Sequence, residues 1–138
     1  MITHNKKAVR KEVCWSISNV TAGTAQQIQQ IIDCGILDKL ILLILNDDFE
    51  IKREALWALA NTTLNSTPQQ YLYMAEHNAL SALTAMLTQP DIKTLIFALE
   101  GIENFLKNGK IHFLDERGEN KFTIMLELCG GVDRLESL

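Results

Sequence analysis

Apolar residues recur along this chain at intervals of three and four rather than two, as in Ile28, Ile31 and Ile32, or Leu37, Leu40, Ile41 and Ile44. That period belongs to helices burying one face, and it argues against strands. The pattern predicts helices over Lys6–Thr21, Ala25–Cys34, Ile36–Leu45, Ile51–Asn65, Pro68–His77, Leu80–Thr88 and Ile92–Asn108. Local signals agree. Thr24 and Thr67 each stand three residues before a Gln, the signature of a capping box, and Pro68 suits a first helical position. Gly35 and Asn78 are residue types that accept the left-handed conformation ending a helix. Asp47-Asp48 and Gln89-Pro90-Asp91 break the chain. The stretch Asn108–Asn120 carries Gly109, Gly118 and three acidic residues, and is expected as a flexible surface loop.

The chain also resembles itself. Asp33-Cys34-Gly35-Ile36-Leu37-Asp38-Lys39-Leu40 returns 43 positions later as Glu76-His77-Asn78-Ala79-Leu80-Ser81-Ala82-Leu83, and again as Leu128-Cys129-Gly130-Gly131-Val132-Asp133-Arg134-Leu135. Glu12-Val13-Cys14-Trp15-Ser16-Ile17-Ser18-Asn19 returns after 42 as Glu54-Ala55-Leu56-Trp57-Ala58-Leu59-Ala60-Asn61, and a shift of 43 carries Asn61 to Asn104. Helical repeats of this length belong to the armadillo and HEAT class of α-solenoids. The expected fold is an all-α, armadillo-repeat right-handed superhelical solenoid with three helices per repeat. The third helix of one repeat occupies residues 6–23, full repeats occupy 24–66 and 67–108, a loop covers 109–120, and a partial repeat fills 121–138. Because a solenoid repeat buries its faces against neighbours, the apolar segment Val132–Leu138 is expected to belong to a longer array. The same uncovered ends lead us to expect self-association.

Composition narrows the function classes. At 138 residues and 47% hydrophobic content the chain supports a real core, and 22% charged residues is ordinary for a folded protein. The longest apolar stretch, Gly35–Leu45, is too short and too interrupted for a membrane span. A net charge of −4 argues against nucleic-acid binding. The basic cluster Lys6-Lys7-Ala8-Val9-Arg10-Lys11 is expected as a solvated helix face. Cys14, Cys34 and Cys129 form no C-x-x-C pair and are expected as reduced core thiols, and the scattered His4, His77 and His112 suggest no metal site. No cofactor is implied. Ser16, Ser18, Ser66 and Ser81 have no His placed as a base by any motif, and Gly130-Gly131 matches a helix cap rather than a phosphate loop, so catalysis is not expected.

The third helices carry the residues hardest to explain as packing. Trp15 and Asn19 are four apart, as are Trp57 and Asn61, and Glu12 and Glu54 lie three residues before each Trp. Each set therefore shares one helical face. Stacking such helices about 10 Å apart along a concave wall makes a column of Glu, Trp and Asn. The alternative is that each Trp is core and each Asn a satisfied buried amide. Against it, Val13, Ile17 and Val20, then Leu56, Leu59 and Ala60, already supply the apolar faces. An Asn facing a groove offers donors and an acceptor to any peptide backbone. Parallel indoles form a slot for a long aliphatic stem ending in a cation, worth about 0.5–2 kcal/mol. The parts describe a receptor for an extended Lys/Arg-rich strand.

Three segments in this order also resemble importin-α, the nuclear-import adaptor family: Lys11–Gly23, Ile51–Asn61 and Leu99–Asn104. The resemblance runs nearly end to end, to the family's C-terminal armadillo repeats. It implies a minor-site groove for nuclear localisation signals, with Trp15, Asn19, Trp57 and Asn61 as its Trp–Asn array and Glu12 and Glu54 as its acidic residues. Asn104 continues the array, while Glu100 stands where a Trp would be, so the indole slot ends at Trp57. The resemblance further implies proteins bearing basic localisation signals as partners, and importin-β, the export receptor and nucleoporins as partners of the full-length protein. The same likeness implies shuttling between cytoplasm and nucleus, while the charge and the short apolar stretches above lead us to expect no direct nucleic-acid or membrane partner. A general armadillo interaction scaffold is the alternative, and the Trp-x-x-x-Asn repetition discriminates against it.

Overall fold

A computed structural model describes residues 2–138. It is 77% helical, and no strand occurs among the described residues. The helices are α1 (Lys7–Thr21), α2 (Ala25–Asp33), α3 (Ile36–Asn46), α4 (Phe49–Asn65), α5 (Pro68–Glu76), α6 (Ala79–Ala85, continued by a 3-10 turn at Met86–Thr88), α7 (Ile92–His112), α8 (Lys121–Leu128) and α9 (Gly131–Glu136). The long helices α1, α4 and α7 lie side by side in that order, and the shorter ones pack behind them.

The caps form where the sequence places them. Thr24 accepts from the Gln27 amide while Gln27 Oε1 accepts from the Thr24 amide, and Thr67 and Gln70 repeat the arrangement. Gly35, Asn78 and Gly130 take positive φ of 73°, 73° and 81°, turning the chain from each first helix into the second. The core runs the length of the array. Ile28, Leu40, Ile44, Leu56, Leu59, Met74, Leu83 and Phe105 are fully buried, and Phe105 meets both Tyr71 and Phe122 edge-on at 5.2 and 5.5 Å.

Three expectations need correction. The 109–120 segment is not a loop throughout. Helix α7 continues to His112, and the chain then folds into a tight turn with a bridge between Leu114 and Asn120. The Asp115 carboxylate accepts the Arg117 and Glu119 amides, which orders the turn. Gly109 permits the return: a Cβ there would lie 2.1 Å from Asn120 Oδ1, so only glycine admits the Asn120 side chain that caps α8. Second, the basic cluster is not uniformly solvated. Arg10 makes a paired contact with Asp47 at 2.8 and 3.0 Å and joins α1 to the end of α3. Burial alone would raise the Asp47 carboxyl, but the guanidinium and the Asp48 amide hold it below its ordinary value. Third, of the three cysteines Cys14 is buried, Cys129 half-buried and Cys34 exposed, because Cys34 sits on the turn before Gly35 rather than inside a helix.

Candidate functional site

The side-by-side arrangement of α1, α4 and α7 brings the sequence-selected residues onto one wall. Trp15 is 54% exposed and Trp57 41% exposed, among core neighbours that are almost all below 9%. An indole in the core would not leave half its surface open. Glu12, Asn19 and Glu100 are exposed, and Glu54, Asn61 and Asn104 half-buried.

Two of the asparagines do more than face solvent. Asn61 Nδ2 donates to the Ser18 carbonyl at 3.1 Å, from α4 to α1, and Asn104 Nδ2 donates to Thr63 Oγ1 at 3.0 Å, from α7 to α4. Each amide therefore ties one repeat to the next. An amide has two N–H donors and an acceptor oxygen, so one N–H and the oxygen stay free for another chain. The Asn ladder fixes the spacing of the wall as well as lining it.

Lys11, Glu12, Trp15 and Glu54 enclose an open pocket of about 330 Å3. Glu54 Oε2 is buried, with no hydrogen-bond partner among the described residues. An unpartnered buried carboxylate oxygen is costly, and its cost is offset when a cation or donor reaches it. The negative field is felt nearby: burial pushes the Cys14 thiol up to about 11, and the carboxylates of Glu54 and Asp47 add to the effect. Cys14 stays a protonated core thiol at neutral pH.

A second pocket, of about 520 Å3, lies between α4 and α7 and is lined by Arg53, Glu54, Trp57, Lys93, Ile96 and Phe97. Phe97 stacks on the Trp57 indole with ring centroids 5.5 Å apart and planes at 19°. Sequence reasoning did not select Arg53, Lys93, Ile96 or Phe97. The signal was present, because Phe97 lies 43 positions after Glu54, in the register that carries Glu12 and Glu54.

Comparison with known proteins places this architecture. Residues 24–63 match the Armadillo/beta-catenin-like repeat family. An engineered protein of known structure superposes with a TM-score of 0.81 at 26% identity, covering 99% of this chain and 52% of that one. A designed armadillo repeat protein in complex with the peptide (KR)4 gives 0.70 at 24% identity over 99% of this chain and 70% of its own, a likeness of fold. The chain is thus an armadillo-repeat solenoid. Its sequence relatives narrow the class. Importin subunit alpha-5 of Arabidopsis thaliana is 35% identical over 135 residues, 98% of this chain and 26% of the relative. Importin subunit alpha-1a of Oryza sativa subsp. japonica is 38% identical over 140 residues, all of this chain and 27% of the relative. The chain belongs to the importin-α family, and it spans about a quarter of the length of these relatives.

Proposed function

We propose that this chain binds Lys/Arg-rich nuclear localisation signals in an extended conformation along the wall formed by α1, α4 and α7, as part of a nuclear-import adaptor. The observation that carries this reading is that the exposed Trp15 indole and Glu54, a carboxylate with one buried and unpartnered oxygen, line the same pocket. A lysine or arginine laid across the indole places its methylenes on an aromatic face and its charge at a buried acceptor. Glu12 adds a second, exposed carboxylate to the same pocket. Asn19, Asn61 and Asn104 hold the peptide backbone through their free amide groups, which makes binding independent of most cargo side chains. Glu100, at the end of the column, adds negative charge where a third indole would stand. In the complete protein the same family membership supports importin-β, an export receptor and nucleoporins as further partners, and passage between cytoplasm and nucleus.

The test is Trp15→Ala, measured twice. Circular dichroism should retain most of the helicity, because the indole is 54% exposed, while calorimetric titration with a basic localisation peptide should show weakened binding. Unfolding of the variant would mean that Trp15 is a core residue, and unchanged affinity in a folded variant would remove it from the site.

A further inference from the structure

The two pockets on the wall are repeats of each other with one exchange. Lys11, Glu12 and Trp15 of α1 are closed off by Glu54 of α4; Arg53, Glu54 and Trp57 of α4 are closed off by Phe97 of α7. The offsets are those of the solenoid, 42 from Lys11 to Arg53 and 43 from Glu54 to Phe97. In the third register the acid and the aromatic have changed places, with Phe97 at the acidic position and Glu100 at the indole position. The closing residue decides what each pocket accepts. In the first it is the Glu54 carboxylate, with Glu12 as a second acid beside it. In the second it is a ring already stacked on the indole, beside Ile96, which is 46% exposed. Two cations rim that second pocket, Arg53 and Lys93, and neither forms a salt bridge among the described residues. Glu54 is the carboxylate among its lining residues, and Asp91 lies within the field of both cations.

We propose that the Trp57–Ile96–Phe97 pocket is a second, chemically opposite subsite of the same groove, taking an apolar or aromatic side chain of the bound segment with an acidic residue next to it. This rests on the groove reading above and specifies which basic segments it prefers. Trp57, Phe97 and Ile96 give an apolar wall that a lysine would have to enter beside two like charges. An adjacent Asp or Glu instead meets Arg53 and Lys93. With third helices about 10 Å apart and an extended chain rising about 3.3 Å per residue, the apolar residue falls two or three positions from the cation held at Trp15. Preferred segments therefore combine a basic residue with a short-range apolar–acidic pair, rather than continuing as an unbroken basic run.

The experiment compares peptides by calorimetric titration. The reference carries a Lys-Arg pair in an alanine background, and its derivatives place Phe-Asp, Phe-Lys or Lys-Arg at two or three residues on either side. The Phe-Asp peptide, in its favoured register, should bind about three- to tenfold tighter than the reference, the gain expected for one well-placed aromatic contact. Phe-Lys should gain less, and an extended basic run should gain nothing at this pocket. Phe97→Glu, which restores the repeat's acidic pattern, should reverse the order so that the extended basic run binds tighter than Phe-Asp. Lys93→Glu, an exposed change that leaves packing alone, should abolish the advantage of Phe-Asp over Phe-Lys. Equal affinities for all derivatives, or an order unmoved by both variants, would overturn the subsite while leaving Trp15-dependent binding of the reference intact. If the reference itself fails to bind, the groove reading falls and the subsite with it.

Discussion

Replacing Gly109 by Ala separates the structure from sequence propensity, because the two give opposite signs. Gly109 lies within α7, where Ala is favoured over Gly by about 1 kcal/mol on propensity alone. In the structure a Cβ at this position would lie 2.1 Å from Asn120 Oδ1 and 2.9 Å from Phe122 Cδ2. Asn120 cannot retreat cheaply. Its Oδ1 accepts the Phe122 amide at 2.9 Å to cap α8, and its Nδ2 donates to the Leu106 carbonyl at 2.7 Å. Losing the cap costs about 1 kcal/mol, and losing the second bond costs about the same. Crowding the fully buried Phe122 adds about 1–3 kcal/mol. Set against the propensity gain, the substitution should destabilise by about 3 kcal/mol. Urea unfolding followed by circular dichroism measures it. A double-mutant cycle with Asn120→Ala sharpens the test, since Gly109→Ala should cost much less once the Asn120 side chain is gone. A rise in midpoint for Gly109→Ala in the native background would refute the close approach of α7 to the 113–121 turn.

Phe105→Ala removes a fully buried ring that meets Tyr71 and Phe122, and should cost about 3–5 kcal/mol in thermal or urea unfolding, enough to loosen α8 and α9. Thr67→Ala removes one half of the α5 capping box and should cost about 1 kcal/mol by the same measurement, with Thr67→Ser recovering most of it. Because the Asp47 carboxyl is held below its ordinary value, its contribution is complete above that value, near pH 4, and is lost as pH falls through the lower folded value. Unfolding midpoints taken from pH 6 down to pH 3 should therefore fall less steeply for Asp47→Asn than for the native chain.

Much of this was legible in the sequence, for identifiable reasons. Helix starts at Ala25 and Pro68 follow from side-chain caps, which are local and carry their own residue signature. The left-handed turns at Gly35, Asn78 and Gly130 are equally local. The exposed indoles could be placed on one face because a period of 42 or 43 residues converts sequence offset into stacking. What escaped depended on contacts between distant positions. The extension of α7 to His112 rests on Asn120 returning against Gly109, and two glycines in the segment read as loop chemistry without that contact. The tethering of Asn61 to the Ser18 carbonyl needed the helix spacing in three dimensions. Phe97 escaped for a different reason: it stands at the register position that holds an acid in Glu12 and Glu54, so residue type hides it although the register runs on through Glu100 and Asn104.

In the proposed groove the exposed Trp15 indole and the Glu54 carboxylate together receive a basic side chain of an extended segment. Titration with a Lys/Arg-rich localisation peptide, following tryptophan emission at low and high salt, tests it most directly. The native chain should show a saturable change in emission. Trp15→Ala should weaken binding at both salt concentrations, and Glu54→Gln should weaken it most at low salt, because charge attraction is screened as ions are added. No binding at millimolar peptide, or an affinity that neither substitution alters, would contradict the account.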